Sequence, residues 1–123
     1  MAKNPDPQTP LTTIAGDVRS IDDWTTTFHL CLIVLPDQMD ARSFLPVADR
    51  IFKVFGDADC HTALVVPSTP AIAKRILGDH AGRNLTFVDP DRTLVDALGL
   101  ETLPALVHVR QDTSIGGAAE GWD

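Results

Sequence analysis

Apolar residues change their spacing along this chain, and the spacing predicts strands that alternate with helices. Residues 29–35 and 60–66 are almost continuously apolar, which is typical of central strands that are covered on both faces. Between them, apolar residues recur every three or four positions over residues 41–55, which predicts a helix with one buried face. We expect Asp40 to cap this helix and Pro46 to bend it.

Shorter segments complete the pattern on either side. Gly16 and Asp17 lie in the middle of an alternating stretch and predict a tight hairpin turn. Thr69 followed by Pro70 predicts a helix start, and Gly99 predicts a helix end. The further predicted elements are a helical turn at 22–24, helices at 69–77 and 93–98, a strand at 85–88, and an antiparallel pair at 105–110 and 114–119.

Length and composition fit one compact domain. A chain of 123 residues with 44% apolar content can close one core but not two. Residues 1–10 contain three prolines and no periodic apolar pattern, so we expect them to form a flexible tail that precedes a domain over residues 11–123. The alternation of strands and helices, closed by a hairpin, predicts an α/β fold with a parallel centre and an antiparallel edge.

The charge of the chain argues against a nucleic-acid partner. A net charge of −7 and a pI near 4.8 disfavour nucleic acid, which needs clustered Lys and Arg. No apolar run reaches the roughly 18 residues of a membrane span, and the first residues lack the apolar core of a signal peptide. We therefore expect a cytoplasmic protein with neither a nucleic-acid nor a membrane partner.

Residues 85–104 carry a specific resemblance. They contain a short strand, an Asp-Pro-Asp turn, a helix, a Gly-Leu pair and Pro104 before a buried strand. With Gly16-Asp17 and Pro46, this pattern resembles the thioredoxin-like superfamily, and in particular its TlpA-like and AhpC/TSA-like branch. The resemblance implies a mixed central sheet flanked by helices and a cis peptide bond before Pro104. It also implies a helix after the last hairpin. The chain stops at 121–123, so we expect a C-terminally truncated domain. A complete chain would instead leave one side of the sheet uncovered, which would favour a partner or a homodimer.

The cysteine motif of the resembled proteins is absent at the corresponding residues. Counting back from Pro46, the Cys-x-x-Cys positions are residues 38–41, which read Gln-Met-Asp-Ala. Without a thiolate at a helix start, thiol-disulfide exchange cannot take place there. The sequence therefore favours a redox-inactive module, without a cofactor, that binds an unidentified protein or extended peptide. The predicted groove consists of Gln38, Met39, Thr102, Leu103 and Pro104.

Two cysteines keep an enzymatic alternative open. Cys31 and Cys60 are predicted at the starts of neighbouring strands, opposite the proline loop. We expect inert buried thiols, and the alternative is a thiol-disulfide oxidoreductase or peroxidase-like protein that uses either of them. The sheet order that the resemblance implies would place His29, His61 and His108 on adjacent strands near these thiols. No metal site is predicted, because side chains alternate between the two sheet faces and no ligand pair has the spacing of a known site.

Overall fold

The computed structural model describes residues 2–36, 39–55 and 60–121, except for the side chains of Met39, Asp40 and Phe55. These residues form a seven-stranded sheet with helices on both faces. The strands are β1 Pro10–Thr13, β2 Val18–Ser20, β3 His29–Val34, β4 Cys60–Val66, β5 Leu85–Val88, β6 Ala105–Val109 and β7 Ile115–Glu120. The α-helices are α1 Ile21–Trp24, α2 Leu45–Phe55, α3 Pro70–Leu77 and α4 Thr93–Ala97.

The sheet has a parallel centre and antiparallel edges, as the sequence predicts. Its strand order is β2-β1-β5-β4-β3-β6-β7. β4 lies parallel between β3 and β5, whereas β1 joins β5, and β6 joins β3, in antiparallel register. The central position of β3 explains its apolar sequence, because its last five residues are buried whichever face they point to.

Each face of the sheet carries its own apolar cluster. On one face, alternate residues of the central strands pack with Ile21 of α1 and with Leu94 and Val95 of α4. On the other face, the remaining alternate residues pack with apolar side chains of α2 and α3, including Phe52 and Ile76. The division follows from the period of two along each strand. Helices therefore cover both faces, which is the architecture expected from the order of elements.

Most predicted boundaries are confirmed within two residues. β1 and β2 form the hairpin around Gly16, and Thr69 caps α3 by accepting a hydrogen bond from the Ile72 N–H at 3.3 Å. α4 ends before Gly99, whose φ of +66° suits a residue without a Cβ. No helix among the described residues is long and apolar enough to cross a membrane.

The single bent helix predicted over residues 41–55 is wrong. A 3₁₀ segment, Met39–Phe44, precedes α2, and Pro46 lies in the first turn of α2 instead of bending its middle. Proline has no backbone N–H, so the bond from residue 46 to the carbonyl of residue 42 cannot form and the α-helical ladder can begin only here. Asp40 consequently lies inside the 3₁₀ segment and not at the cap of α2. The predicted end of the helix, Gly56, lies outside the described residues.

Residues 2–9 pack against the domain, although the sequence predicts a flexible tail there. Ala2 contacts one apolar cluster, and the Lys3 N–H donates a hydrogen bond to the Leu98 carbonyl at 2.8 Å. The Asn4 side chain accepts the N–H of Ile115 in β7 at 2.9 Å, and Thr9 is buried. The sequence pattern does not predict these contacts, because they are made largely by backbone groups and so produce no regular spacing of apolar residues. The mobility of residues 1–10 in solution stays a prediction.

Candidate functional site

The loop before β6 lies at the carboxyl end of β3. Leu103 and Pro104 are joined by a cis peptide bond, and Ala105 pairs with Val34, the last residue of β3. Thr102 is exposed, Leu103 is half-buried and Pro104 is buried. In α/β sheets, ligands bind beyond the carboxyl ends of the parallel strands. The cis-proline loop, residues 102–104, therefore occupies the end of the sheet at which such folds place their sites.

A carboxylate from the last strand holds this loop. Oε1 of Glu120 accepts hydrogen bonds from the N–H of Glu101 at 2.6 Å and the N–H of Thr102 at 3.2 Å. These bonds hold the pKa of the Glu120 carboxyl below its ordinary value. The N–H of Gly121 also donates to the Pro104 carbonyl at 2.8 Å. β7 thus fixes the backbone on both sides of the cis bond.

Leu103 leaves its backbone groups available between these fixed points. Among the described residues, no hydrogen bond uses the N–H or the C=O of Leu103. Its side chain, in contrast, packs against an apolar cluster. An extended segment could therefore pair with this backbone without displacing a bond between described residues.

The structure brings together three of the five residues predicted for the groove: Thr102, Leu103 and Pro104. Gln38 lies outside the described residues. Met39 begins the 3₁₀ segment that follows β3, and its side chain also lies outside them. The groove as a whole therefore stays a prediction.

The two cysteines lie at the other end of the sheet. Cys31 is buried at 1% exposure in β3, and Cys60 is half-buried at the start of β4. Both thiols are free. Burial, with a smaller contribution from the neighbouring Cys60, raises the pKa of Cys31 to about 12. Burial also raises the pKa of Cys60. Both shifts favour the neutral thiol over the nucleophilic thiolate.

Strand register places two histidines and both cysteines on one sheet face. His29 pairs with Cys60, and Cys31 pairs with His108. Because side chains alternate along a strand, residues directly opposite one another share a face. His61 pairs with Leu30 and therefore lies on the opposite face. Sequence spacing suggested this alternation without showing which residues share a face, because the register of the strands decides it.

His29 and His108 form a close pair. Nε2 of His108 lies 3.1 Å from Nδ1 of His29, and the rings stack at 28° with centroids 5.1 Å apart. Burial and, to a smaller degree, His29 and Arg110 lower the pKa of His108. Gly116 lies against the His108 ring, where an added Cβ would come within 2.9 Å of Cε1. Because Gly116 has no side chain, the imidazole of His108 has room to occupy this position.

His61 belongs to an aromatic group on the opposite face. Its ring meets Phe28 edge-on at 4.7 Å between centroids and Trp24 edge-on at 6.4 Å. Trp24 also meets Phe87 edge-on at 5.2 Å, and the guanidinium of Arg19 lies 4.9 Å from the Trp24 ring centre. The indole N–H of Trp24 is buried without a partner among the described residues. These contacts hold His61 away from the other histidines of this end.

Two structural carboxylates were not singled out from the sequence. Asp89 is buried, and its oxygens accept the N–H groups of Leu94 at 3.1 Å and Val95 at 3.0 Å. This bond pair fixes the start of α4, which leads into the cis-proline loop. The Asp-Pro-Asp segment was interpreted only as a turn, although an Asp shortly before a helix is a known start signal. Glu120 left no local signal, since its partners lie 18 and 19 residues away.

Solved structures with a similar fold include three bacterial proteins. The exposed lipoprotein thioredoxin of Streptococcus pneumoniae is 19% identical, with 93% of this chain and 89% of that chain covered and a TM-score of 0.71. DsbF from MTB is 12% identical, with 95% and 87% covered and a TM-score of 0.75. The thioredoxin domain of a thiol-disulfide oxidoreductase from Bacteroides vulgatus is 13% identical, with 98% and 91% covered and a TM-score of 0.73.

This chain has a thioredoxin-like fold. The fold class expected from the proline loop and the order of elements is therefore confirmed. No protein-family model and no curated protein matches the chain. At these identities the structural likeness establishes the fold alone, and the chemistry of the chain has to be argued from its own residues.

Proposed function

We propose that this protein is a redox-inactive thioredoxin-like module, of the TlpA-like or AhpC/TSA-like branch, that binds an extended peptide segment at its cis-proline loop. The observation that carries the proposal is the separation of the thiols from that loop. Cys31 and Cys60 lie at the opposite end of the sheet from Pro104. The fold thus keeps the loop, while the only two cysteines of the sequence lie elsewhere.

The raised pKa of Cys31 supports the absence of thiol chemistry. Because burial raises the pKa of Cys31 to about 12, the neutral thiol predominates strongly at pH 7. Thiol-disulfide exchange proceeds through the thiolate, so this predominance of the neutral form makes Cys31 a poor nucleophile. Cys60 is more exposed, yet its pKa is raised as well.

The free backbone of Leu103 supports peptide binding. An added strand gains affinity from main-chain hydrogen bonds, which need an N–H and a C=O that the protein does not already use. Among the described residues, neither the N–H nor the C=O of Leu103 is used. The flanking backbone is held by the Thr102 N–H, which donates to Glu120, and by the Pro104 carbonyl, which accepts from Gly121. A pre-positioned loop loses less entropy on binding than a mobile one.

The competing function is a thiol oxidoreductase that uses Cys31 or Cys60, and a redox titration separates the two. The native protein is equilibrated across glutathione redox ratios and quenched with acid. Its free thiols are then alkylated in denaturant, so that the buried Cys31 also reacts, and each cysteine is read by mass spectrometry. We expect both cysteines to remain free thiols at every ratio. A reversible disulfide or glutathione adduct on either cysteine would establish the oxidoreductase instead.

Peptide binding is tested with a displayed library of random twelve-residue peptides. Selected peptides should lose affinity for Leu103→Asp, because a charge replaces the apolar contact beside the pairing backbone. Val18→Asp is the matched control, since Val18 is 61% exposed on the edge strand β2. N-methylation of the peptide amides should also weaken binding, because it removes the main-chain donors. Equal binding to wild type and Leu103→Asp by every selected peptide would contradict the proposal.

A further inference from the structure

The two facing nitrogens of His29 and His108 are separated by a distance that a metal chelate allows. Each nitrogen bound to a first-row ion lies about 2.0–2.1 Å from it, so two such nitrogens lie roughly 2.9 Å apart at a right angle and roughly 3.4 Å apart at the tetrahedral angle. The separation between His108 Nε2 and His29 Nδ1 is 3.1 Å. Both rings are half-buried, so an ion could reach the pair from solvent.

We propose that His29 and His108 form a cross-strand site for a divalent first-row transition ion such as Zn²⁺, with solvent completing its coordination. Imidazole nitrogens are preferred ligands of these ions. In the part of the chain that is described, no three or more His, Cys, Asp and Glu side chains are grouped to hold a metal. The site is therefore a two-imidazole chelate with open positions, which distinguishes it from a closed structural zinc site.

The surroundings of the pair favour its metal-binding form. An imidazole binds metal only when it is neutral, and burial lowers the pKa of His108, which favours the neutral ring. In the metal-free protein one of the two facing nitrogens carries a proton. Binding needs a tautomeric shift of that proton to the other nitrogen of the same ring, and ring orientations in which both lone pairs point at the ion. The contact and stacking with His29 already order the His108 ring, so little further ordering is needed on binding.

The direct test is titration of the full chain with Zn²⁺, a redox-inert ion, at pH 7.4 in competition with a chromophoric chelator. We expect His29→Gln and His108→Gln each to weaken binding about tenfold or more, because one of two protein ligands is lost. His61→Gln is the matched control and should bind as wild type, because His61 lies on the opposite face. Binding should also weaken at pH 5, where protons compete for the imidazoles.

A pair of glycine variants tests the same site with both histidines retained. Gly116→Ala should weaken Zn²⁺ binding, because the new Cβ displaces the His108 ring, whereas Gly117→Ala meets no atom within 4 Å and should not. Wild type that shows no saturable Zn²⁺ binding would overturn the proposal. So would binding that survives His108→Gln. Binding that Cys60→Ser abolishes while His29→Gln leaves it intact would assign the ion to a thiolate and reject the imidazole site.

Discussion

The two ends of the central strand β3 are built by different chemistry. At its carboxyl end, carboxylates organise the backbone: Asp89 fixes the start of α4 and Glu120 fixes the turn before Pro104. At its amino end, side chains meet one another across strands, as His29 and His108 do. A carboxylate that accepts backbone N–H groups holds that stretch of backbone in place, so the adjacent backbone is positioned to pair with a peptide strand. Imidazole and thiol side chains on a sheet face, in contrast, carry nitrogen and sulfur atoms that can bind a metal ion directly. The two proposals accordingly assign a peptide to one end and a metal ion to the other.

Removal of Asp89 should break the carboxyl end most severely. Asp89→Ala leaves two buried N–H groups without an acceptor, so we expect a loss of about 2–4 kcal/mol in the free energy of unfolding. Urea denaturation measures the loss. Asp91→Ala, an exposed change in the same turn, should cost no more than about 0.5 kcal/mol. Equal costs for the two variants would show that the Asp89 bonds contribute no specific stability.

Cysteine replacements should distinguish two environments within the amino end. Cys31→Ser places a hydroxyl at a site that is 1% exposed, and we expect it to cost about 1–3 kcal/mol. Cys60→Ser should stay within about 0.5 kcal/mol, because its side chain already meets water. Alkylation of the native protein provides a second measurement. Cys60 should react first, and Cys31 should react only as the protein unfolds. Simultaneous alkylation of both would show that the β3 thiol is accessible in the folded state.

Acidification should loosen the cis-proline loop with a smaller effect. The folded pKa of Glu120 is lowered, so its contribution to stability is present above the unfolded value near 4.5 and is lost as pH falls through the folded pKa. Protonation weakens the acceptor for the Glu101 and Thr102 amides, and their NMR shifts should titrate together. Glu120→Gln should remove this titration. Titration of these amides that persists in Glu120→Gln would assign it to another group.

Prediction from the sequence succeeded where a periodic pattern carried the information. The apolar runs of β3 and β4, the Thr69-Pro70 helix start and the proline before β6 each have a local physical cause, and together they specified the fold. Pro46 was recognised, but its effect depends on where the α-helical ladder starts. A missing N–H is costly inside a helix and harmless in its first turn.

The candidate sites could be predicted only in part, because their contacts depend on strand register. The strand order implied by the resemblance placed His29, His61 and His108 at one end of the sheet. It could not show that His61 points away while His108 meets His29, since a one-residue change in register would reverse the faces. The contact between Asn4 and β7 likewise joins residues 111 positions apart. Such pairings have no local signal.

The buried indole N–H of Trp24 allows the amino end of β3 to be followed by fluorescence. The chain has two tryptophans and no tyrosine, so Trp122→Phe leaves Trp24 as its sole strong ultraviolet emitter. With its N–H shielded from water and its ring beside His61 and Phe87, Trp24 should emit at shorter wavelength than an indole in solvent. Loosening of this end would then be recorded as a red shift without any attached dye.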